Sequence, residues 1–167
     1  MTTLRAAAML LFVLVIQSAV VSELHVFGVH GEIVLLVPIA AGLTVGPDRG
    51  AVAGFIAGIA VDLLVTTPFG LSALTYSLVG YGVGAFQAGV LRSSRSLPIV
   101  AAVGGTALGI VFFGLAATVV GEEGLLRGEL ARIVLVSSTL NGLLVLPALR
   151  LARWVEAPSE RAMLGVR

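Results

Sequence analysis

The stretch that decides the fold is residues 50–65, GAVAGFIAGIAVDLLV, in which Asp62 interrupts an otherwise apolar, small-residue run. A membrane-crossing helix needs about 20 apolar residues at about 1.5 Å each, so this run covers most of a bilayer. A carboxylate in hydrocarbon costs roughly 2.5–3.5 kcal/mol even on lenient insertion scales. Asp62 is therefore expected to face protein or water rather than lipid.

The composition of the whole chain indicates a membrane protein. Of its 167 residues, 58% are hydrophobic and 11% are charged, whereas an ordinary soluble domain carries about 25% charged residues. The net charge of +1 gives no electrostatic basis for nucleic-acid binding. Because the chain has no cysteine, disulfides, thiolate nucleophiles and cysteine-based metal sites are excluded. We predict one all-α transmembrane domain over residues 1–167, with a polar tail at 150–167.

Six apolar stretches predict about six transmembrane helices. They span residues 6–21, 33–45, 51–65, 71–91, 97–120 and 130–149. The second and third are shorter than a full crossing, which flanking residues, a locally thin bilayer or a partly re-entrant path would each accommodate. The first also has the pattern of a signal peptide, but its removal would leave an odd number of crossings. We therefore expect it to be retained.

Arginine placement predicts the orientation in the membrane. With the N-terminus inside, eight arginines lie in cytoplasmic segments, and Arg127 and Arg132 lie on the other side. This alternation requires an even number of crossings. Both termini are therefore predicted to be cytoplasmic.

Glycines recur every four residues at Gly50, Gly54 and Gly58, and Asp62 follows at the same interval. On a helix this spacing forms a slowly drifting stripe, and small residues let another helix backbone approach closely. Asp62 is therefore expected on or beside a packed face. The placement favours a structural acid that is hydrogen-bonded to a neighbouring helix; a proton, ion or partner site is the alternative.

Other polar and small residues carry weaker signals. Further small-residue pairs predict helix packing: Gly80 with Gly84, and Gly105 with Gly109. Three polar residues in or near the stretches are expected to bond across to other helices, with a substrate pocket as the alternative: Gln17, Gln87 and Asn141. The segment between the first and second apolar stretches is predicted to lie on the outer side. It holds four residues of types that ligate metal: Glu23, His25, His30 and Glu32. Nothing in so short a loop fixes their geometry. We therefore predict no metal site and no cofactor. We also predict that the chain is not an enzyme, because it has no recognisable catalytic triad or pair of catalytic carboxylates.

Two adjoining segments resemble the rod shape-determining membrane protein family MreD. Residues 54–64, GFIAGIAVDLL, are a glycine-rich helix that ends in Asp62 and a leucine pair. Residues 69–81, FGLSALTYSLVGY, place Gly70 in a short turn and Tyr76 about six residues into the next helix. The resemblance extends loosely over the full length of the chain.

The resemblance implies a non-enzymatic scaffold subunit of the cell-elongation machinery in the bacterial inner membrane. It implies an MreC-like single-span partner and, through it, a link to RodA and its penicillin-binding partner in peptidoglycan synthesis. It also implies a fold similar to the substrate-binding subunits of vitamin transporters. The structural or partner-contact candidates are Asp62, Gly54, Gly58, Pro68, Gly70 and Tyr76.

Two other functions remain as alternatives. A substrate-binding subunit of a vitamin uptake transporter would share the architecture, so the fold cannot decide between them. Such a subunit needs convergent polar and aromatic groups near the outer surface, and this chain is only 6% aromatic. A proton-coupled carrier that uses Asp62 would need a second intramembrane charge and inverted repeats, and neither is evident. The scaffold is therefore favoured.

Overall fold

The computed structural model describes residues 8–15, 32–65, 68–89, 96–121 and 130–156, except for the side chain of Glu156. Its helices are α1 (8–15), α2 (Leu36–Val45), α3 (Pro47–Asp62), α4 (Leu71–Gly89), α5 (Leu97–Val119) and α6 (Leu130–Glu156). No strand occurs within these ranges. The all-α prediction is therefore confirmed. By length and composition, Leu97–Val119 and Leu130–Val155 are each sufficient to cross a membrane.

Helix boundaries differ from the sequence prediction at several places, among them the start of α3 and the end of α6. α3 begins at Pro47, four residues before the predicted stretch at 51–65, so that Gly46, which has a φ of 114°, is the only residue between α2 and α3. Glycine tolerates this conformation, and a proline at the first helical position forgoes no hydrogen bond. α6 continues to Glu156 instead of ending at residue 149, so the first part of the predicted polar tail is helical.

The extension of α6 has a simple physical cause. Leu149, Ala152 and Val155 are buried at three-residue spacing, whereas Arg150 and Arg153 between them are exposed. This is the pattern of an amphipathic helix, whose arginines reach water while its apolar stripe stays packed. The arginines therefore do not end the helix.

The short helix α2 and the turn before it form the centre of the bundle. α2 has 10 residues, which is about 15 Å, or half of the hydrocarbon core. Val34, Leu35, Ile39 and Ala40 are all 0% exposed. Non-helical backbone at membrane depth is tolerated only where protein covers it. Neighbouring helices cover the turn before α2 in this way. How the stretch is accommodated in the bilayer stays a prediction.

α2 lies against the other large helices of the bundle. α3 packs along α4, α5 packs along α6, and α2 contacts α3, α4 and α6. The α3–α4 contact is the closest, because it is made backbone to backbone. A Cβ added at Gly54 would overlap the carbonyl oxygen of Tyr76, and one added at Gly58 would overlap Ala73. The glycine stripe of the sequence therefore lies at this contact.

Candidate functional site

Asp62 lies at the point where α3 ends and the chain turns into α4. It is the last residue of α3, and its side chain is 5% exposed. Its Oδ2 accepts hydrogen bonds from the backbone N–H of Gly70 (2.8 Å) and Ala73 (3.3 Å). Its Oδ1 accepts one from the N–H of Ser72 at 3.2 Å. The carboxylate thus binds the beginning of the next helix.

This arrangement is a helix cap supplied by the preceding helix. The first N–H groups of a helix have no partner within it, and they carry a partial positive charge. A carboxylate offers only acceptor oxygens, which suit such a cluster of donors. Asp62 therefore binds three N–H groups at the start of α4, and the hydrogen bonds from Ser72 and Ala73 are buried.

The turn between the two helices places the donors correctly. Gly70 has a φ of 96°, a conformation that glycine adopts without strain. The carbonyl oxygen of Pro68 accepts a hydrogen bond from the N–H of Leu71 at 3.2 Å. The backbone is thereby bent so that its N–H groups point back towards α3. Residues 66 and 67 lie outside the described part of the chain.

All six candidate residues of the sequence belong to this one α3–turn–α4 unit. Gly54 and Gly58 set the closeness of the two helices, and Tyr76, which is 2% exposed, lies opposite Gly54. The remaining three form the capped turn: Asp62, Pro68 and Gly70. The structure gives each of them a packing or hydrogen-bonding position, and their role in binding a partner stays a prediction.

A second polar centre joins three other elements. Asn141 on α6 is 0% exposed, and its Nδ2 donates to the Thr106 hydroxyl on α5 at 3.0 Å. The same Nδ2 donates to the carbonyl oxygen of Glu32, just before α2, at 2.9 Å. The predicted bond from Asn141 to another helix is confirmed. Its second acceptor was not foreseen, because a backbone carbonyl leaves no signal in the sequence.

The other polar predictions have different outcomes. Among the described residues, the Oε1 of Gln87 has no hydrogen-bond partner, so the expected cross-helix bond is not observed at this atom. Four of the predicted residues lie outside the described ranges: Gln17, Glu23, His25 and His30. Among the described residues, no group of three or more histidines or acids is placed to hold a metal ion.

Comparison with known families decides the identity. The family model of the rod shape-determining protein MreD matches residues 1–155. The chain belongs to the MreD family. Its members are membrane proteins with a role in rod-shape determination, and the resemblance seen at residues 54–81 is thereby confirmed. No match to this chain is found among curated proteins or solved structures. In this MreD-family chain, the segment that carries the family pattern is the capped α3–α4 unit.

Proposed function

We propose that this chain is a non-enzymatic scaffold subunit of the cell-elongation machinery and binds an MreC-like single-span membrane protein. The observation that carries the proposal is the match to the MreD family over residues 1–155. Through that partner the chain connects to RodA and its penicillin-binding partner, and so to peptidoglycan synthesis.

The close packing of α3 against α4 supports a scaffold function for this chain. Backbone-to-backbone contacts at Gly54 and Gly58 and the three hydrogen bonds to Asp62 make the α3–α4 unit rigid. A rigid element presents its outer side chains in one arrangement, which lowers the entropy cost of binding. Phe55 and Leu64, on and just after α3, are large apolar side chains that remain more than half exposed. They suit contact with lipid or with a partner helix.

The proposed orientation places both termini in the cytoplasm. It rests on the eight-to-two distribution of arginines. The exposed Arg150 and Arg153 of α6 then lie at the cytoplasmic surface, together with the α2–α3 turn at Gly46. The same distribution predicts that residues 122–129, which lie outside the described residues, are on the outer side.

One observation favours small-molecule binding as a second candidate. The Oδ1 of Asn141 and the hydroxyls of Ser137 and Ser138, all on α6, are buried and have no hydrogen-bond partner in the described part of the chain. Ser137 and Ser138 lie one turn from Asn141 on the same helix. Unpaired polar groups of this kind can bind a polar ligand, as the substrate-binding subunit of a vitamin transporter requires.

Deletion of the gene tests the two candidates together. The scaffold predicts altered cell width or elongation, which a plasmid copy restores, and co-purification of the MreC-like partner from native membranes. The transporter subunit predicts normal shape, a new vitamin requirement, and co-purification of an ATPase pair with a coupling subunit. The second set of results would refute the proposal.

A further inference from the structure

A pocket of about 470 Å³ lies at the end of the bundle where α6 carries its arginines. The last turns of α2, α4 and α6 and the first turn of α5 line it. Its lining is amphipathic. The described polar side chains in it are Thr44, Gln87 and Arg153, and the apolar ones include Leu43, Leu97 and Leu149. A ligand that fits such a lining has both a polar and an apolar part.

Arg153 gives this pocket a positive charge. Among the described residues that line the pocket it is the only charged one, and its side chain is exposed and so accessible to a ligand. A guanidinium offers five N–H donors and no acceptor, and its planar fork matches the oxygens of a phosphate or carboxylate group. The Thr44 hydroxyl already donates to the carbonyl oxygen of Ala40 at 2.8 Å. The polar part of the ligand is therefore an anion with acceptor oxygens.

The sequence of exposed side chains along α6 places the pocket at the level of the lipid headgroups. Leu143 and Leu146 are exposed apolar side chains two to three turns before Arg153, as expected of a segment that faces hydrocarbon. Trp154, directly after Arg153, is 58% exposed, and tryptophan is enriched at the boundary between hydrocarbon and water. Arg153 thus lies at the depth where the phosphate groups of the lipids are found.

We propose that this pocket binds the headgroup of an anionic phospholipid. Arg153 binds the phosphate oxygens, and the glycerol and the first part of the acyl chains lie against Leu43, Leu97 and Leu149. Basic pockets between transmembrane helices bind anionic headgroups in this way on the cytoplasmic side of a membrane. This lipid site is additional to the partner contact of the proposed function and does not depend on it.

The lining of the pocket distinguishes this ligand from two others. A free inorganic anion would bind Arg153 but would leave the leucines of the pocket in contact with water, because it has no apolar part. A phospholipid with a zwitterionic headgroup carries an ammonium group, which a pocket with an arginine and no described acid in its lining repels. An anionic phospholipid suits both the charge of Arg153 and the apolar side chains beside it.

Arg153→Gln tests the site directly, with Arg150→Gln as the matched control. Both arginines are exposed and lie three residues apart on α6, but Arg153 lines the pocket and Arg150 does not. The full chain is purified from membranes in a neutral detergent, and the lipids that it retains are identified and quantified by mass spectrometry. Gln87→Glu, which adds a negative charge to the lining at nearly constant shape, replaces Arg153→Gln if that variant fails to accumulate.

The wild type and Arg150→Gln should retain phosphatidylglycerol, an anionic lipid, in excess of its share of the membrane. Arg153→Gln should retain about fivefold less, which is the effect of removing one arginine from an anionic membrane surface. Equal losses in the two variants would show that the arginines attract lipid without a pocket. That result, or a wild type without any enrichment of anionic lipid, would overturn the proposal.

A second measurement separates a lipid from a soluble anion. Phosphatidylglycerol added to the delipidated chain should raise the midpoint of thermal unfolding of the wild type and of Arg150→Gln, because a ligand stabilises the folded state that binds it. It should raise the midpoint of Arg153→Gln much less. Inorganic phosphate at the same concentration should raise none of them. If inorganic phosphate stabilises the wild type as much as the lipid does, the pocket binds a soluble anion and the assignment to a phospholipid is wrong.

Discussion

The cap on α4 makes a quantitative prediction for two substitutions of Asp62. In the wild type, Oδ2 accepts from Gly70 and Ala73, and Oδ1 accepts from Ser72. In Asp62→Asn, the amide oxygen can take the place of Oδ2 and keep two of these bonds. The amide nitrogen then faces the N–H of Ser72 and leaves it unpaired. One unsatisfied buried donor costs about 1–3 kcal/mol.

Asp62→Leu removes both acceptor oxygens at nearly constant volume. Three backbone N–H groups at the start of α4 then lose their partner. The bonds from Ser72 and Ala73 are buried, so at a minimum of about 1 kcal/mol for each of these two the loss is at least about 2 kcal/mol. We therefore expect Asp62→Asn to accumulate and bind its partner, and Asp62→Leu to be depleted from the membrane.

The assay compares membrane abundance, the midpoint of thermal unfolding in detergent, and recovery with the MreC-like partner. Asp48 supplies the control, because it lies on the same helix and is exposed. Asp48→Asn and Asp48→Leu should both resemble the wild type in all three measurements.

Two results would refute the reasoning about Asp62. If Asp62→Leu unfolds at the wild-type temperature, the three hydrogen bonds do not stabilise the protein as the geometry indicates. If Asp62→Asn is abundant and complexed yet fails to restore cell shape, the carboxylate has a function beyond capping.

Three further predictions follow from the packing, the polar centre and the arginine distribution. Gly54→Ala should lower the unfolding midpoint by the equivalent of about 1–3 kcal/mol, because its Cβ overlaps a carbonyl of α4; Gly89→Ala, in open space, should not lower it. Asn141→Leu should cost about 1–3 kcal/mol, because two acceptors lose their donor. In intact cells, a membrane-impermeant thiol reagent should label a cysteine introduced at Gly124 and not one at Ser94; the reverse would overturn the proposed orientation.

The general class of the protein could be predicted from its sequence. The chain is 58% hydrophobic and 11% charged, which indicates an all-α membrane bundle. This prediction is robust because the preference of apolar side chains for lipid over water adds up along each whole segment. The spacing of Gly50, Gly54 and Gly58 predicted a close helix contact, since periodicity is a property of the chain alone. The same argument placed Asp62 away from lipid.

The ends of the helices were harder to predict from the sequence, because they depend on which residues the neighbouring helices cover. Residues 33–35 are apolar enough to extend α2, yet they are non-helical and protein-covered, and the Asn141 amide bonds the carbonyl of the preceding Glu32. The arginines at positions 150 and 153 suggested that α6 ends before them. The helix continues to Glu156, because an apolar stripe on its inner face stays buried: Leu149, Ala152 and Val155.

Only the tertiary structure decided the partner of each buried polar group. The sequence required Asp62 to find hydrogen-bond donors, but it did not reveal that these are three backbone N–H groups at the start of α4. Backbone groups are the same at every residue, so no pattern of side chains marks the ones that meet an acid. That choice depends on how α3, the turn at Gly70 and α4 are arranged in space.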